Sequence, residues 1–148
     1  MSRKARELKE QAVYYVQCYA RQTEVLFENS FDYEFYLDLM VRYRQKHSVC
    51  LYGFCLLPRE VHLIVYPKAA KSLAKFMQGL NQAYSKHKRK QDSNIIKIWK
   101  GRFKSKALES ALELHDHIKS LEIMPVRERI SEYISDYRWS SYIYRVDK

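Results

Sequence analysis

Val49-Cys50-Leu51-Tyr52-Gly53-Phe54-Cys55-Leu56-Leu57-Pro58-Arg59-Glu60-Val61-His62-Leu63-Ile64-Val65-Tyr66 reads as two apolar strands, Val49 to Leu57 and Val61 to Tyr66. The tight Pro58-Arg59 connection between them predicts an antiparallel hairpin. Side chains alternate along a strand, so Glu60 and His62 point the same way while Val61 and Leu63 point into the core. A carboxylate and an imidazole side by side can ligate a hard cation. They can equally serve a salt bridge or hydrogen bond to a neighbouring element, and the residues alone leave both readings open.

Upstream, Ala12 to Ala20 is rich in Val, Tyr and Cys and reads as a first strand. Ser30 is a suitable N-cap for a helix through about Gln45, where Phe35, Tyr36, Leu39, Met40 and Tyr43 recur at helical spacing. Downstream, Leu73, Phe76, Met77, Leu80 and Tyr84 trace the apolar face of a second helix, Ser72 to about Lys88. Its other face carries Lys71, Lys75, Gln78, Gln82 and Lys86. Partial alternation through Arg102 to Leu108 predicts a fourth strand. A third helix runs from about Glu109 to Ile123, with Ala111, Leu114, Ile118 and Leu121 inward and Pro125 closing it. The order strand, helix, strand, strand, helix, strand predicts an α+β fold, a ferredoxin-like split β-α-β sandwich whose antiparallel sheet carries helices on one face.

The 148 residues suit one domain over 1–148, with a charged arm over 1–10, a core over 11–123 and a C-terminal extension over 124–148. A hydrophobic content of 47% excludes disorder, and three glycines exclude a Gly-rich phosphate loop. Cys18, Cys50 and Cys55 are odd in number and lack Cys-x-x-Cys spacing, which argues for buried reduced thiols over disulfides or a zinc ribbon. With a charged N-terminus and no membrane-spanning apolar run, the expectation is a cytoplasmic protein without a membrane partner.

A formal charge of +10 and thirteen tyrosines suit a surface that meets phosphate, although charge alone fits an ordinary solvated basic surface as well. The positive residues concentrate in one stretch: Lys86, Lys88, Arg89, Lys90, Lys97, Lys100, Arg102, Lys104 and Lys106, interleaved with Trp99 and Phe103. Aromatic rings set among cations are what single-stranded nucleic acid requires. The competing reading makes Trp99 and Phe103 core residues and the lysines a solvated face.

Three motifs in series resemble one family. Trp99-Lys100-Gly101-Arg102-Phe103-Lys104-Ser105 is similar to its Trp-Gln-Gly-Arg-Phe-Lys-Ser, and Asp136-Tyr137-Arg138-Trp139-Ser140-Ser141-Tyr142 to its C-terminal Asp-Tyr-Arg-Trp-Ser-Ser-Tyr. The strand at Glu60 resembles its Met-Pro-Asn-His-Tyr-His-Leu-Leu, with one histidine replaced by Glu60. The family is the tyrosine transposases associated with repetitive extragenic palindromes, within the His-hydrophobic-His superfamily of single-strand DNA enzymes. The resemblance implies a single-stranded or hairpin DNA partner, with Arg138 as a phosphate contact in an otherwise structural C-terminal motif.

The family's chemistry joins a tyrosine nucleophile to a divalent metal. Its helix Tyr-Ile-His/Glu-Leu-Asn-Pro-Val aligns without gaps on Ser120-Leu121-Glu122-Ile123-Met124-Pro125-Val126, so Ser120 stands at the nucleophile and Met124 at the amide ligand. A thioether suits magnesium or manganese poorly, leaving Glu60 and His62 to hold either metal weakly or not at all. On the third helix Glu113, Asp116 and His117 lie near the Ser120 face and could replace a ligand, or be plain solvated residues. Tyr133 has no spacing argument as a substitute nucleophile. The leading expectation is a DNA-binding relative without strand cleavage. The alternatives are an active metal-dependent strand transferase with a rebuilt Glu/His site, and an RNA-binding or protein-interaction module.

Overall fold

The hairpin forms as the sequence predicts. In the computed structural model, which describes residues 12–146, β1 (Val13–Tyr19) pairs antiparallel with both β3 (Glu60–Pro67) and β4 (Lys104–Leu108). On its other side β3 pairs antiparallel with β2 (Val49–Leu57), with Leu57 opposite Glu60. The sheet order is therefore β2-β3-β1-β4, and β1 and β3 are its central strands. The fourth strand begins at Lys104, two residues later than expected, because the preceding segment is held differently. There Gly101 adopts φ +133, a conformation that favours glycine, and turns the chain. The charged arm expected over 1–10 lies outside the described residues.

Two helices cover one face of this sheet. α1 (Ser30–Lys46) is capped by Asn29, one residue before the expected Ser30, with the Asp32 N–H donating to the Asn29 side chain at 3.0 Å. α2 (Ala70–Gln91) brings Leu73, Phe76, Met77, Leu80 and Tyr84 into the core against Tyr36, Leu39 and Met40 of α1 and Val16, Leu63 and Val65 of the sheet. Each such side chain contributes about 1.5–3 kcal/mol when fully buried. The helices approach closely because Gly79 has no Cβ: one built there would lie 2.7 Å from the Tyr43 ring. α2 extends beyond the predicted Lys88 because its last turn is anchored, Gln91 donating to Asp32 Oδ1 at 3.1 Å.

α3 (Ala111–Arg127) crosses the other face near β2. The His117 ring lies 5.3 Å from that of Tyr15, and Ile118 Cγ1 lies 3.7 Å from the position a Gly53 Cβ would occupy. Ala111 is exposed, so the expected inward set reduces to Leu114, Ile118 and Leu121. Pro125 does not close this helix. It lies buried inside the last turn, where its missing N–H forfeits one bond, and the helix ends two residues later as Arg129 turns left-handed at φ 60. Beyond a short turn over Ile134–Asp136, the tail covers part of the β2 edge: the Leu56 N–H donates to Trp139 O at 2.8 Å and the Tyr137 hydroxyl to Leu56 O at 2.5 Å. α4 (Ser141–Val146) follows. No helix among the described residues is long and apolar enough to cross a membrane.

Candidate functional site

Register assembles a polar row that no single segment announces. Gln17 of β1 faces His62 on one side and Lys104 on the other, and Tyr19 faces Glu60. Residues two apart share a face, so Tyr15, Gln17, Tyr19, Glu60, His62, Lys104 and Lys106 all project from the side opposite α1 and α2. That is the side crossed by α3.

His62 is the centre of the row. The Tyr15 hydroxyl lies 2.7 Å from its Nδ1, and Glu60 Oε1 lies 2.8 Å from its Nε2. Burial at 3% exposure is the largest influence on the ring and holds its pKa below the ordinary histidine value, against the opposing pull of Glu60. The imidazole is therefore neutral at pH 7, with one N–H. A carboxylate only accepts, which assigns that proton to Nε2 and makes Nδ1 the acceptor of the Tyr15 proton. Burial, then the neighbouring Tyr19 and Glu60, push the Tyr15 phenol up to about 12, so it stays a donor. Around this chain the Tyr15 and Tyr19 rings flank His62 at 5.9 and 6.2 Å, Tyr19 donates to Gln17, and the Lys104 ammonium sits 5.5 Å from the centre of the Tyr19 ring.

These residues do not fit magnesium or manganese. Both His62 nitrogens are committed to protein partners, which leaves the imidazole no lone pair for a cation. Across the site Ser120 is exposed and accepts from Arg127 at 3.2 Å, and Met124 packs against the core. Of the candidate replacement ligands, Asp116 is exposed and His117 reaches the site, its Nδ1–H donating to Glu113 O at 2.9 Å. Among the described residues no three His, Cys, Asp or Glu side chains are placed to share a metal ion.

The basic stretch divides over three places. Lys86, Arg89 and Lys90 are exposed near the end of α2; Lys97, Lys100 and Arg102 are exposed in the segment leading to β4; Lys104 and Lys106 are exposed on β4, beside the His62 row. Lys88 departs from the expected surface. It is fully buried, and its ammonium donates to Glu28 at 2.6 Å and Asp32 at 3.0 Å. Trp99 is not an open stacking platform either: it is 8% exposed, with its indole N–H donating to Asn81 O at 3.0 Å. Phe103 remains half-buried. Arg138 is exposed, 4.6 Å from the Trp139 ring centre and 3.6 Å from Glu34.

Two cavities open beside the Lys97–Phe103 segment. One, of about 620 Å³, brings Arg21, Arg59, Lys97 and Lys100 around Tyr19 and Glu60. Arg59 is fixed there by donating to the carbonyls of Arg21 and Gln22 at 3.0 Å each. The second, of about 490 Å³, lies between α2 and the segment and shares Lys97 and Trp99 with the first. Sequence reasoning missed Tyr15, Gln17, Tyr19, Arg21 and Arg59. The alternation of Tyr15, Gln17 and Tyr19 within β1 was visible, but which strand they would face was not.

Over residues 10–115 the chain matches the family model described as transposase, IS200 like. Among solved structures it is similar to a tyrosine transposase associated with REP elements and bound to a REP hairpin. The two share 15% sequence identity with a TM-score of 0.78, covering 100% of this chain and 87% of the other. A provisionally assigned transposase from Deinococcus radiodurans R1 is similar at 13% identity and a TM-score of 0.52, over 81% of this chain and 98% of its own. At these identities the likeness is one of fold. No curated protein matches the chain.

Proposed function

The chain belongs to the IS200-like transposase family, and from that premise we propose that it binds single-stranded or hairpin DNA without cleaving it. The observation that carries the reading is the closed chain from Tyr15 through His62 to Glu60. It satisfies the groups that would otherwise serve a metal, while Lys97, Lys100, Arg102, Lys104 and Lys106 stay exposed around it. A divalent ion would polarise the scissile phosphate, and the donors here do not suit one. Ser120, held by Arg127, stands where a tyrosine hydroxyl would have to reach phosphorus, and attack requires near-contact geometry. What remains is a surface for a polyanion. The hairpin bound by the similar REP-associated transposase makes hairpin DNA the natural ligand class, and the cytoplasm the natural setting.

Binding and cleavage of hairpin oligonucleotides in magnesium or manganese test this, run beside the triple variant Glu60→His, Ser120→Tyr, Met124→Asn. The expected result is that the wild-type chain binds with an affinity that falls steeply with salt and forms no covalent adduct. A wild-type adduct that is lost in Glu60→Gln would establish the rebuilt strand transferase instead. Preference for a matched RNA hairpin would redirect the reading to RNA.

A further inference from the structure

We propose that Ile96, at the tip of the connection between α2 and β4, is a wedge that seats on the last base pair of a DNA stem and turns the unpaired strand aside. The inference rests on the hairpin-binding reading and adds to it the residue that finds the junction of paired and unpaired DNA.

Ile96 is 83% exposed, more than any other large hydrophobic side chain among the described residues. A lone apolar residue on a surface is ordinary. This one is held out by its neighbours. Ile95 and Ile98 are buried, at 8% and 0% exposure, so the chain is pinned to the core on both sides of the tip. The turn before it is closed by the Ile95 N–H donating to Asp92 O at 3.1 Å and the Asn94 N–H to Asp92 Oδ1 at 3.0 Å. After it, the Arg21 N–H donates to Ile98 O and the Lys100 N–H to Tyr19 O, each at 2.9 Å. Branching at Cβ stiffens the side chain itself. An apolar tip held in water by a fixed backbone loses little freedom when a ligand covers it.

The surroundings point to what covers it. Lys86 and Lys90 are exposed near the end of α2, before the turn. Lys97 and Lys100 are exposed after it and line the cavity that also holds Arg21 and Arg59. Asp92 is the only carboxylate between residues 91 and 98, and its Oδ1 already accepts from Asn94. Phosphates can therefore be met on both sides of Ile96 along the chain, with the stem on the α2 cations and the unpaired strand on those that follow. Reading of unpaired bases is the work of aromatic rings, whereas aliphatic side chains act as wedges against the flat faces of paired bases. Ile96 is aliphatic, and the end of a stem is the face it fits. There it takes the place of the first unpaired base, which would otherwise continue the stack.

The test compares three DNA ligands: a hairpin with an unpaired flank, the same hairpin cut flush at the foot of its stem, and the flank alone. Ile96→Ala should weaken binding of the flanked hairpin about 10-fold, the worth of covering one aliphatic side chain, and change binding of the flank alone less than twofold. Ile96→Leu should restore the flanked hairpin's affinity. A 2-aminopurine placed as the first unpaired base should brighten when the wild-type chain binds, because it leaves the stack, and should stay dim with Ile96→Ala. An unchanged urea midpoint in Ile96→Ala is expected of a side chain so exposed, and it assigns the loss to the contact. Equal loss on all three ligands, no loss on the flanked hairpin, or brightening that persists in Ile96→Ala overturns the wedge and leaves DNA binding standing. Failure of the wild-type chain to bind any of the three overturns both.

Discussion

The two faces of the sheet carry polar groups in opposite ways. Under α1 and α2, Asp32 and Lys88 are fully buried, and the Asp32 carboxylate accepts from the Glu28 N–H, His87, Lys88 and Gln91 together. Under α3, Glu60, His62 and Tyr15 form a shorter chain that leads from a buried imidazole to a carboxylate with 31% of its side chain exposed. The first buries both members of its central ion pair, ties α1 to α2 and reaches solvent at Glu28. The second runs along the sheet surface beside the exposed Lys104 and Lys106, as a surface that meets a polyanion must.

The sharpest way to break this contrast is to remove one partner of the buried Lys88–Asp32 pair. Lys88→Ala leaves the Asp32 carboxylate buried without its ammonium and should destabilise the fold by about 3–5 kcal/mol in urea unfolding. Lys86→Ala, two residues away and exposed, should stay within about 0.5 kcal/mol. Equal effects would show that the buried Lys88–Asp32 pair adds little to the fold.

The faces should also separate by pH. For Asp32, burial pulls the pKa upward, but the Glu28 N–H, His87, Lys88 and Gln91 bonds outweigh it and hold it below the ordinary value. Its contribution is thus present above about pH 3.9 and lost as pH falls through the lower folded value. His62 is shifted down by burial, so the unfolded chain takes up its proton first and stability declines as pH falls below about 6.5. His62→Gln should flatten the stability profile between about pH 6.5 and 4 and leave the steeper loss below it intact. A profile identical to the wild type would place the acid sensitivity elsewhere.

How far the sequence could be read follows the same division. The apolar run Val49–Leu57 with its Pro58-Arg59 turn and the stripe through Leu73, Phe76, Met77, Leu80 and Tyr84 are local patterns, and they specified the hairpin and α2 because neighbours in sequence settle them. Lys88 was misplaced because a lysine reads as solvent-facing until its carboxylate is located, and Asp32 is 56 residues away. A signal did exist: Lys88 falls four residues after Tyr84 and so continues the apolar stripe. At the site, Glu60 and His62 were found from their two-residue spacing, and their partner Tyr15 was not, since only the pairing of β1 with β3 brings it within reach. Pro125 misled for a different reason. Its effect on a helix depends on position, and in the last turn the lost bond is a small one.

A smaller effect is expected on the open face itself. Tyr15→Phe removes the proton donated to His62 Nδ1 while keeping the ring, and should reduce stability by about 1 kcal/mol. Hairpin affinity should change less than twofold, because the hydroxyl is bonded inward. A loss of affinity well beyond that would mean that Tyr15 meets the ligand directly.

The smallest effect on stability should accompany the clearest effect on binding. Lys97→Ala and Arg102→Ala remove exposed cations and should each shift stability by no more than about 0.5 kcal/mol. Each phosphate contact releases about one counterion, so each substitution should lower the slope of log affinity against log salt by about 1. Arg138→Ala provides the counterpart on the far side of the molecule. Its guanidinium lies over Trp139 and near Glu34, and if those contacts occupy it, its removal should leave the slope unchanged. If the slope instead falls equally for all three, the positive charge acts as a diffuse field. A fall confined to Lys97 and Arg102 places the phosphates along the Lys97–Phe103 segment, which borders both the polar row and α2.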